Sequence, residues 1–212
     1  MCIALSTQSV NKGRITYMPT PVGHTLAGLA IWAATERSKS LSLKDMLNGR
    51  HLGWAALCVT ASNIPDADFI SITRSGLEFS GKHHHGVTHS IGFAVGLGVM
   101  VWVWGKIRKS EFAGRAAALT TFCYAIHIVM DLFNVDTYPV NGIGLPALWP
   151  LTDTYFIAPL FSGASRADIL SFHNVVAVGL EVLIYGSILL ASLMWRRGRG
   201  NSARTKKPRL SP

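Results

Sequence analysis

Residues 175–195, with the sequence VVAVGLEVLIYGSILLASLMW, decide the fold of this chain. The stretch carries one charged residue, Glu181, and as a helix it is about 30 Å long, which matches the hydrocarbon core of a bilayer. The residues that follow, RRGRGNSARTKKPRL at 196–210, hold seven of the twenty Lys and Arg residues. An apolar helix followed by a basic segment is typical of a membrane span with a cytoplasmic anchor. The pattern therefore predicts an integral membrane protein.

The composition of the whole chain agrees with this prediction. Of 212 residues, 49% are hydrophobic and 15% are charged, whereas soluble domains carry about 25% charged residues. The net charge of +9 is concentrated in the tail, so we attribute it to anchoring at the membrane and expect no nucleic-acid partner. The three cysteines lack CxxC spacing, and they predict neither a disulfide framework nor a zinc finger.

Four further apolar runs precede this span. Residues 90–105 and 116–133 are predicted as two further spans. The shorter runs 22–34 and 52–61 are each either a full span with less apolar ends or an interfacial or re-entrant helix. We therefore expect an all-α, polytopic helical membrane protein with about five membrane helices.

The distribution of basic residues predicts the orientation of these helices. If five spans alternate in direction, fifteen of the twenty Lys and Arg residues fall on one side of the membrane. The positive-inside rule assigns that side to the cytoplasm. The N-terminus is then outside and the C-terminus is cytoplasmic.

The chain divides into three parts. Residues 1–17 are polar and lack the apolar core of a signal peptide, so we interpret them as an N-terminal extension or as the result of a start assigned too far upstream. Residues 18–195 form the integral membrane domain. Residues 196–212 are a basic cytoplasmic tail that we expect to be disordered.

Seven of the eight histidines fall on the predicted outer side, and only His51 is cytoplasmic. Most of the acidic residues lie on the same outer side. Imidazole nitrogen and carboxylate oxygen are the ligands that zinc, manganese and iron accept. The asymmetry predicts a metal site at the extracytoplasmic ends of the helices. The outer histidines are His24, His83, His84, His85, His89, His127 and His173.

Two of the segments that can contribute to such a site have plain structural alternatives. In PVGHTLAG, His24 lies one turn into a helix, where it is a metal ligand or a hydrogen-bonded core histidine. In SNIPDADF, Asp66 and Asp68 follow the end of a helix. Their two carboxylates either bind one cation or form part of a polar turn. Either reading is open for each segment taken alone.

Two other segments carry a stronger signal. KHHHGVTHS at 82–90 has four histidines in seven residues, which favours metal binding over a solvated loop. In HIVMD, His127 and Asp131 are four residues apart and share one helical face. They bind a metal or hydrogen-bond each other, in a helix where ionisable side chains are costly and tend to be functional. Glu181 is also within a predicted span, and the sequence does not identify the residue that pairs with it.

Taken in order, PVGHTLAGLA, IPDADF, HHGVTHS, HIVMDLF and LPALWPLTDTYF resemble the YdjM-type membrane-bound metal-dependent hydrolases over about Met18 to Phe156. The family pattern runs roughly P-x-x-H, PDxD, HRGxTHS, HxxxD and G-x-x-x-L-WP, of which the THS and WP elements are fairly specific. His85 replaces the usual arginine, which leaves the role of that position open. The resemblance implies a bacterial inner membrane location and a divalent metal, zinc or else manganese. The implied ligands are His24, Asp66, Asp68, His84, His89, His127 and Asp131.

The resemblance also implies an activity. The family is distantly reminiscent of the all-α zinc phospholipase C and nuclease fold, which implies metal-assisted hydrolysis of a phosphoester in a lipid or lipid-linked substrate. Asp66 or Asp68, if it is not a ligand, is then a candidate general base. The alternatives are a divalent-metal transporter or sensor and a structural membrane protein. A transporter should carry ligands near mid-membrane, whereas these residues crowd at one interface.

Overall fold

The structure, a computed structural model, describes residues 17–18, 20–36, 49–73, 76–79, 84–133, 144–158, 160, 164–165 and 170–205. In these residues the chain is all-helical apart from two short antiparallel strand pairs. β1 (Tyr17–Met18) pairs with β4 (Ala164–Ser165), and β2 (Ile70–Thr73) forms a hairpin with β3 (Gly76–Phe79). The five predicted helices are confirmed as α1 (Pro21–Thr35), α2 (Gly49–Asn63), α3 (Ile91–Ile107), α4 (Ala113–Leu132) and α5 (Phe172–Thr205).

Local sequence explains where these helices begin and end. Pro21 occupies the first turn of α1, where its missing N–H costs no hydrogen bond. Pro65 cannot continue α2, and the chain tightens into a 3₁₀ helix, Ile64–Phe69, that carries both aspartates of the IPDADF segment. The Ser90 side chain caps α3 by accepting a hydrogen bond from the Phe93 amide. Residues within the motifs therefore determine where these helices begin and end.

The helices pack as a bundle in which α1 contacts α2 and α5, α4 contacts α2 and α3, and α1 also touches α4. One apolar cluster joins α1, α2 and α4 through Trp32, Cys58 and Cys123. A second joins α3 and α4 to the 144–158 segment through Tyr124 and Leu145. These clusters set the spacing of the helix ends at which the polar motifs lie.

The structure supports membrane spans for some of the five helices but not for all of them. Within the described residues, two helices are long and apolar enough to span a bilayer, Ala113–Leu132 and Phe172–Gly198, and α3 is apolar but slightly shorter. At 15 residues each, α1 and α2 are only about 22 Å long. Large apolar side chains of α3 and α5 are exposed, as expected of helices that face lipid. A five-span topology stays a prediction.

The tail differs from expectation. α5 continues past the apolar run to Thr205, so the part of the predicted disordered tail at 196–205 is helical. A helix already formed adds residues at little cost, and the first proline beyond the apolar run is Pro208. Residues 206–212 and 1–16 lie outside the described part of the chain.

Candidate metal centre

The seven residues predicted as metal ligands meet at one end of the bundle. They lie on the first turn of α1, the 3₁₀ helix after α2, the loop before α3 and the last turns of α4. The side chains of His24, His84, His89, His127 and Asp131 are almost completely buried. Contacts among the seven side chains join His24, Asp66, Asp68, His84, His89, His127 and Asp131 into one cluster.

His127 and Asp131 form the centre of this cluster. Nδ1 of His127 lies 2.8 Å from the carbonyl oxygen of Ser62, and because a carbonyl only accepts, this nitrogen carries the proton. Nε2 therefore presents its lone pair unless the ring is doubly protonated, and it lies 2.8 Å from Oδ2 of Asp131. Two acceptors this close need a proton or a metal cation between them.

His89 and Asp66 approach the same point from other elements. Nε2 of His89 is 3.3 Å from both Nε2 of His127 and Oδ2 of Asp131. Oδ1 of Asp66 is 3.5 Å from Nε2 of His127 and 3.8 Å from Nε2 of His89. Asp66, His89, His127 and Asp131 can each offer one ligand atom within 4.8 Å of the others. This is the donor set and spacing of a buried metal site.

Asp68 has a different role from Asp66. Its Oδ1 lies 2.6 Å from Nδ1 of His84, while its Oδ2 accepts a hydrogen bond from Thr88 Oγ1 at 2.6 Å and lies 3.2 Å from Nδ1 of His89. Burial would raise the pKa of Asp68, but the hydrogen bonds from His84 and His89 outweigh it and lower the pKa. The carboxylate thus orients two rings whose Nε2 atoms face the cluster.

The protonation of His84 fits this arrangement. Burial lowers its pKa to about 4, and the hydrogen bond to Asp68 only partly offsets that effect. The ring is therefore neutral at physiological pH. With Nδ1–H donated to Asp68, its Nε2 carries a lone pair and lies 3.7 Å from Oδ1 of Asp66.

The HHGVTHS loop at 84–90 is held in place by its own short-range contacts. The His89 amide donates to the Gly86 carbonyl, and the Ser90 hydroxyl donates to the Val87 carbonyl. The hydroxyl of Tyr124 on α4 donates to the Thr88 carbonyl at 2.6 Å. These hydrogen bonds hold the loop in a defined conformation within the centre.

His24 completes the wall on the α1 side. Its Nε2 lies 3.4 Å from Oδ1 of Asp131, and its ring stacks on the ring of His127 with centroids 3.9 Å apart. Neither ring nitrogen of His24 has a hydrogen-bond partner in the described part of the chain. Buried nitrogens of this kind are costly unless a ligand or water satisfies them.

Glu181 has a partner that the sequence did not reveal. Its carboxylate accepts hydrogen bonds from the Thr20 amide at 2.8 Å, from the Thr20 hydroxyl and from the Gly23 amide at 3.2 Å. It thereby caps the positive end of α1 from α5. Glu181 fixes the turn that carries His24 rather than lying alone within the membrane.

His85 is a member of the cluster whose role the sequence left open. It is buried, adopts a left-handed backbone with φ of 61°, and its ring lies beside those of His84 and His89, with centroids 4.3 and 4.9 Å away. His84, His85 and His89 form a second group at metal-ligand spacing. The run of three histidines was the sequence signal for this residue. His83 lies outside the described residues, and His173 is in the first turn of α5.

The charge balance of the cluster requires positive charge, which a metal ion or protonated histidines can supply. Asp66, Asp68 and Asp131 bring three carboxylates together, and in the described residues their ion pairs are all with histidines. Buried carboxylates without a compensating charge are strongly disfavoured. The cluster can hold a metal ion.

The LPALWP segment lies near the centre, whereas His51 lies away from it. The carbonyl of Trp149 accepts a hydrogen bond from the Gly92 amide, so the LPALWP segment packs on the start of α3. His51 lies at the other end of the bundle, where it pairs with Glu36. The single histidine predicted to be cytoplasmic is thus outside the cluster.

These features define a helical membrane protein with a buried histidine–aspartate centre at one end of its bundle. The chain belongs to the YdjM inner membrane protein family, whose family model matches residues 18–199. The match confirms the resemblance and extends it beyond Phe156 to include most of α5. Comparisons with curated proteins and with solved structures found no match.

Proposed function

We propose that this protein is a membrane-bound metal-dependent hydrolase that cleaves a phosphoester in a lipid or lipid-linked substrate. The observation that carries the proposal is the convergence of Asp66, His89, His127 and Asp131, with the second nitrogen of both rings bound to a backbone or carboxylate oxygen. Such outer hydrogen bonds orient histidine ligands in metal sites. We take zinc as the metal because mixed nitrogen and oxygen ligands suit it, with manganese as the alternative.

The residues have separate tasks in this proposal. His89, His127 and Asp131 are the deeply buried ligands, whereas the side chain of Asp66 is 21% exposed and can be reached by solvent. Asp66 is therefore placed either to complete the ligand set or to accept a proton from the attacking water. A divalent cation held here would lower the pKa of a bound water to about 7 and polarise a phosphoryl oxygen.

Asp68 is better suited to positioning than to ligation or proton transfer. Both of its oxygens already face donors on His84, Thr88 and His89. It holds the loop before α3 in the geometry that points two Nε2 atoms at the centre. The expectation that Asp68 is itself a ligand has less support than the same expectation for Asp66.

The location of the centre favours hydrolysis over metal transport. The cluster lies at the N-terminal ends of α1 and α3 and at the C-terminal ends of α2 and α4. Glu181, the one acid deeper in a span, is bound to Thr20 and Gly23 at the same end. A transport path should show ligands along the bundle axis, whereas these candidate ligands all lie at one end of the bundle.

The opposite end of the bundle carries basic residues stacked on aromatic rings. Arg115 lies 4.3 Å from the Trp54 ring centroid and Arg196 lies 5.5 Å from that of Trp32. Basic and aromatic side chains of this kind are typical of the cytoplasmic interface. They support an orientation with the metal centre outside and the C-terminus in the cytoplasm.

A phosphoester assay tests the proposed activity. Purified protein in phospholipid nanodiscs should release inorganic phosphate or a phosphorylated headgroup, lose this activity in chelator and regain it with zinc or manganese. Asp66→Asn should be inactive but folded, and His51→Asn should keep full activity. Activity that survives both chelation and Asp66→Asn would rule out the mechanism. Saturable zinc flux into proteoliposomes without phosphate release would favour the transporter.

A further inference from the structure

An apolar cavity of about 440 Å³ lies between α1, α4 and α5. Its walls come from three helices and are almost entirely hydrocarbon. Few polar groups border it, so water inside would lack the hydrogen-bond partners that ordered water needs. Representative lining residues are Ala27, Ala34, Ile126, Met130, Tyr185 and Ile188.

The cavity runs from the level of the metal centre towards the opposite end of the bundle. Ala27 is one turn after His24, and Met130 is next to Asp131. Ala34 lies ten residues beyond His24 along α1, which is about 15 Å along the helix axis. The cavity is thus an elongated groove with one end beside the proposed ligands.

The groove and the centre share a wall. Tyr185 lines the groove, and a Cβ added to Gly23 would lie 3.3 Å from its Cε2. Gly23 is bound through its amide to Glu181 and immediately precedes His24. The contact continues the groove surface to the turn that carries a predicted ligand.

We propose that this groove binds one hydrocarbon chain of the lipid whose headgroup lies at the histidine–aspartate centre. The inference rests on the proposed function: it identifies where the hydrocarbon chain of the proposed lipid substrate binds. Two of the three walls belong to the helices that are long and apolar enough to span a bilayer, so the groove lies at the depth of lipid chains. The adjacent ligands distinguish this groove from a surface that merely contacts bulk lipid.

Blocking the far end of the groove tests this assignment. Ala34→Phe and Ser192→Phe introduce a ring from two different walls, both away from the metal ligands. The probe is phosphatidic acid with a diazirine near the end of one acyl chain, placed in phosphatidylglycerol nanodiscs and irradiated. In the native protein, cross-links should concentrate on residues towards the far end of the groove, Ile31, Phe122 and Ile188.

Each blocking variant should reduce these cross-links by about fourfold or more, because displacing even one methylene from an apolar site changes affinity by about that factor. The matched control is Ala191→Phe, at an exposed alanine of α5 that does not line the groove. Equal labelling of Val99 and Met100 on α3, or cross-links unchanged in both blocking variants, would overturn the assignment.

The cross-linking and activity readouts separate this inference from the proposed function. Asp66→Asn should retain groove labelling while it loses phosphate release. Groove labelling without phosphate release from the native protein would reject the hydrolase and retain the groove. Phosphate release that is equally fast for long-chain and short-chain phosphatidic acids, without groove labelling, would reject the groove alone.

Discussion

Nε2 of His127 lies 2.8 Å from Oδ2 of Asp131, while Nδ1 of the same ring lies 2.8 Å from the Ser62 carbonyl oxygen. The carbonyl fixes the proton on Nδ1 and leaves the other nitrogen facing a carboxylate. A metal cation between these atoms also accounts for the approach of His89 and Asp66 to the same point. The predictions below depend on this relationship or on the contacts that maintain it.

Asp68→Asn should weaken zinc binding by about 10- to 100-fold, because the orienting partner of His84 and His89 is disturbed while the ligands remain. Competition with a fluorescent zinc chelator measures the change. Asp66→Asn is the comparison, and it should abolish phosphate release. Unchanged zinc affinity in Asp68→Asn would show that Asp68 does not position these rings.

Gly28→Ala should lower the melting temperature and zinc affinity together. A Cβ at Gly28 would lie 2.5 Å from Ser62 Oγ and 2.8 Å from the Cys58 carbonyl oxygen, so α1 must move away from α2. The movement would displace both His24 and the Ser62 carbonyl that binds His127.

Gly96→Ala is the control, because a Cβ there meets no atom within 4 Å. It should stabilise α3 by about 0.5–1 kcal/mol. Thermal unfolding in detergent measures both variants. A Gly28→Ala protein as stable as the native protein would contradict the close packing of α1 on α2.

Glu181→Ala should destabilise the start of α1, because three donors on Thr20 and Gly23 lose their acceptor. Loss of a helix cap costs about 0.5–2 kcal/mol. Zinc affinity should fall as well, since the same turn carries His24. Glu111→Ala, at an exposed position between α3 and α4, is the control. Normal melting and zinc affinity in Glu181→Ala would reject the capping role.

The orientation predicts the outcome of reporter fusions. Alkaline phosphatase should be inactive, and green fluorescent protein fluorescent, when fused after Ser110 or at the C-terminus. The reverse should hold after Asp153, in the segment that packs near the histidine–aspartate centre. A periplasmic signal from the Ser110 fusion would place the centre on the cytoplasmic side.

The five helices and the gathering of the seven candidate ligand residues were predictable because hydrophobic periodicity and motif order are properties of the sequence. His127 and Asp131 share a helix face, and the IPDADF turn follows from Pro65. The sequence also indicated the side of the bundle, since His51 alone was assigned to the other end.

Other features depend on long-range packing and could not be predicted from local patterns. The capping of α1 by Glu181 joins positions 161 residues apart. The different roles of Asp66 and Asp68 follow from which ring nitrogen each carboxylate meets. The composition of residues 196–205 predicted disorder, but these residues are helical because α5 continues through a polar segment that contains no proline.

The metal content of the purified protein tests the central claim most directly. Native protein dialysed in detergent should retain at least about one divalent ion per chain by elemental analysis, while His127→Ala and Asp131→Ala should lose it and remain folded by circular dichroism. His51→Ala, at the opposite end of the bundle, should retain the native content. Full metal content in both ligand variants, or no metal in native protein supplied with zinc and manganese, would contradict the account.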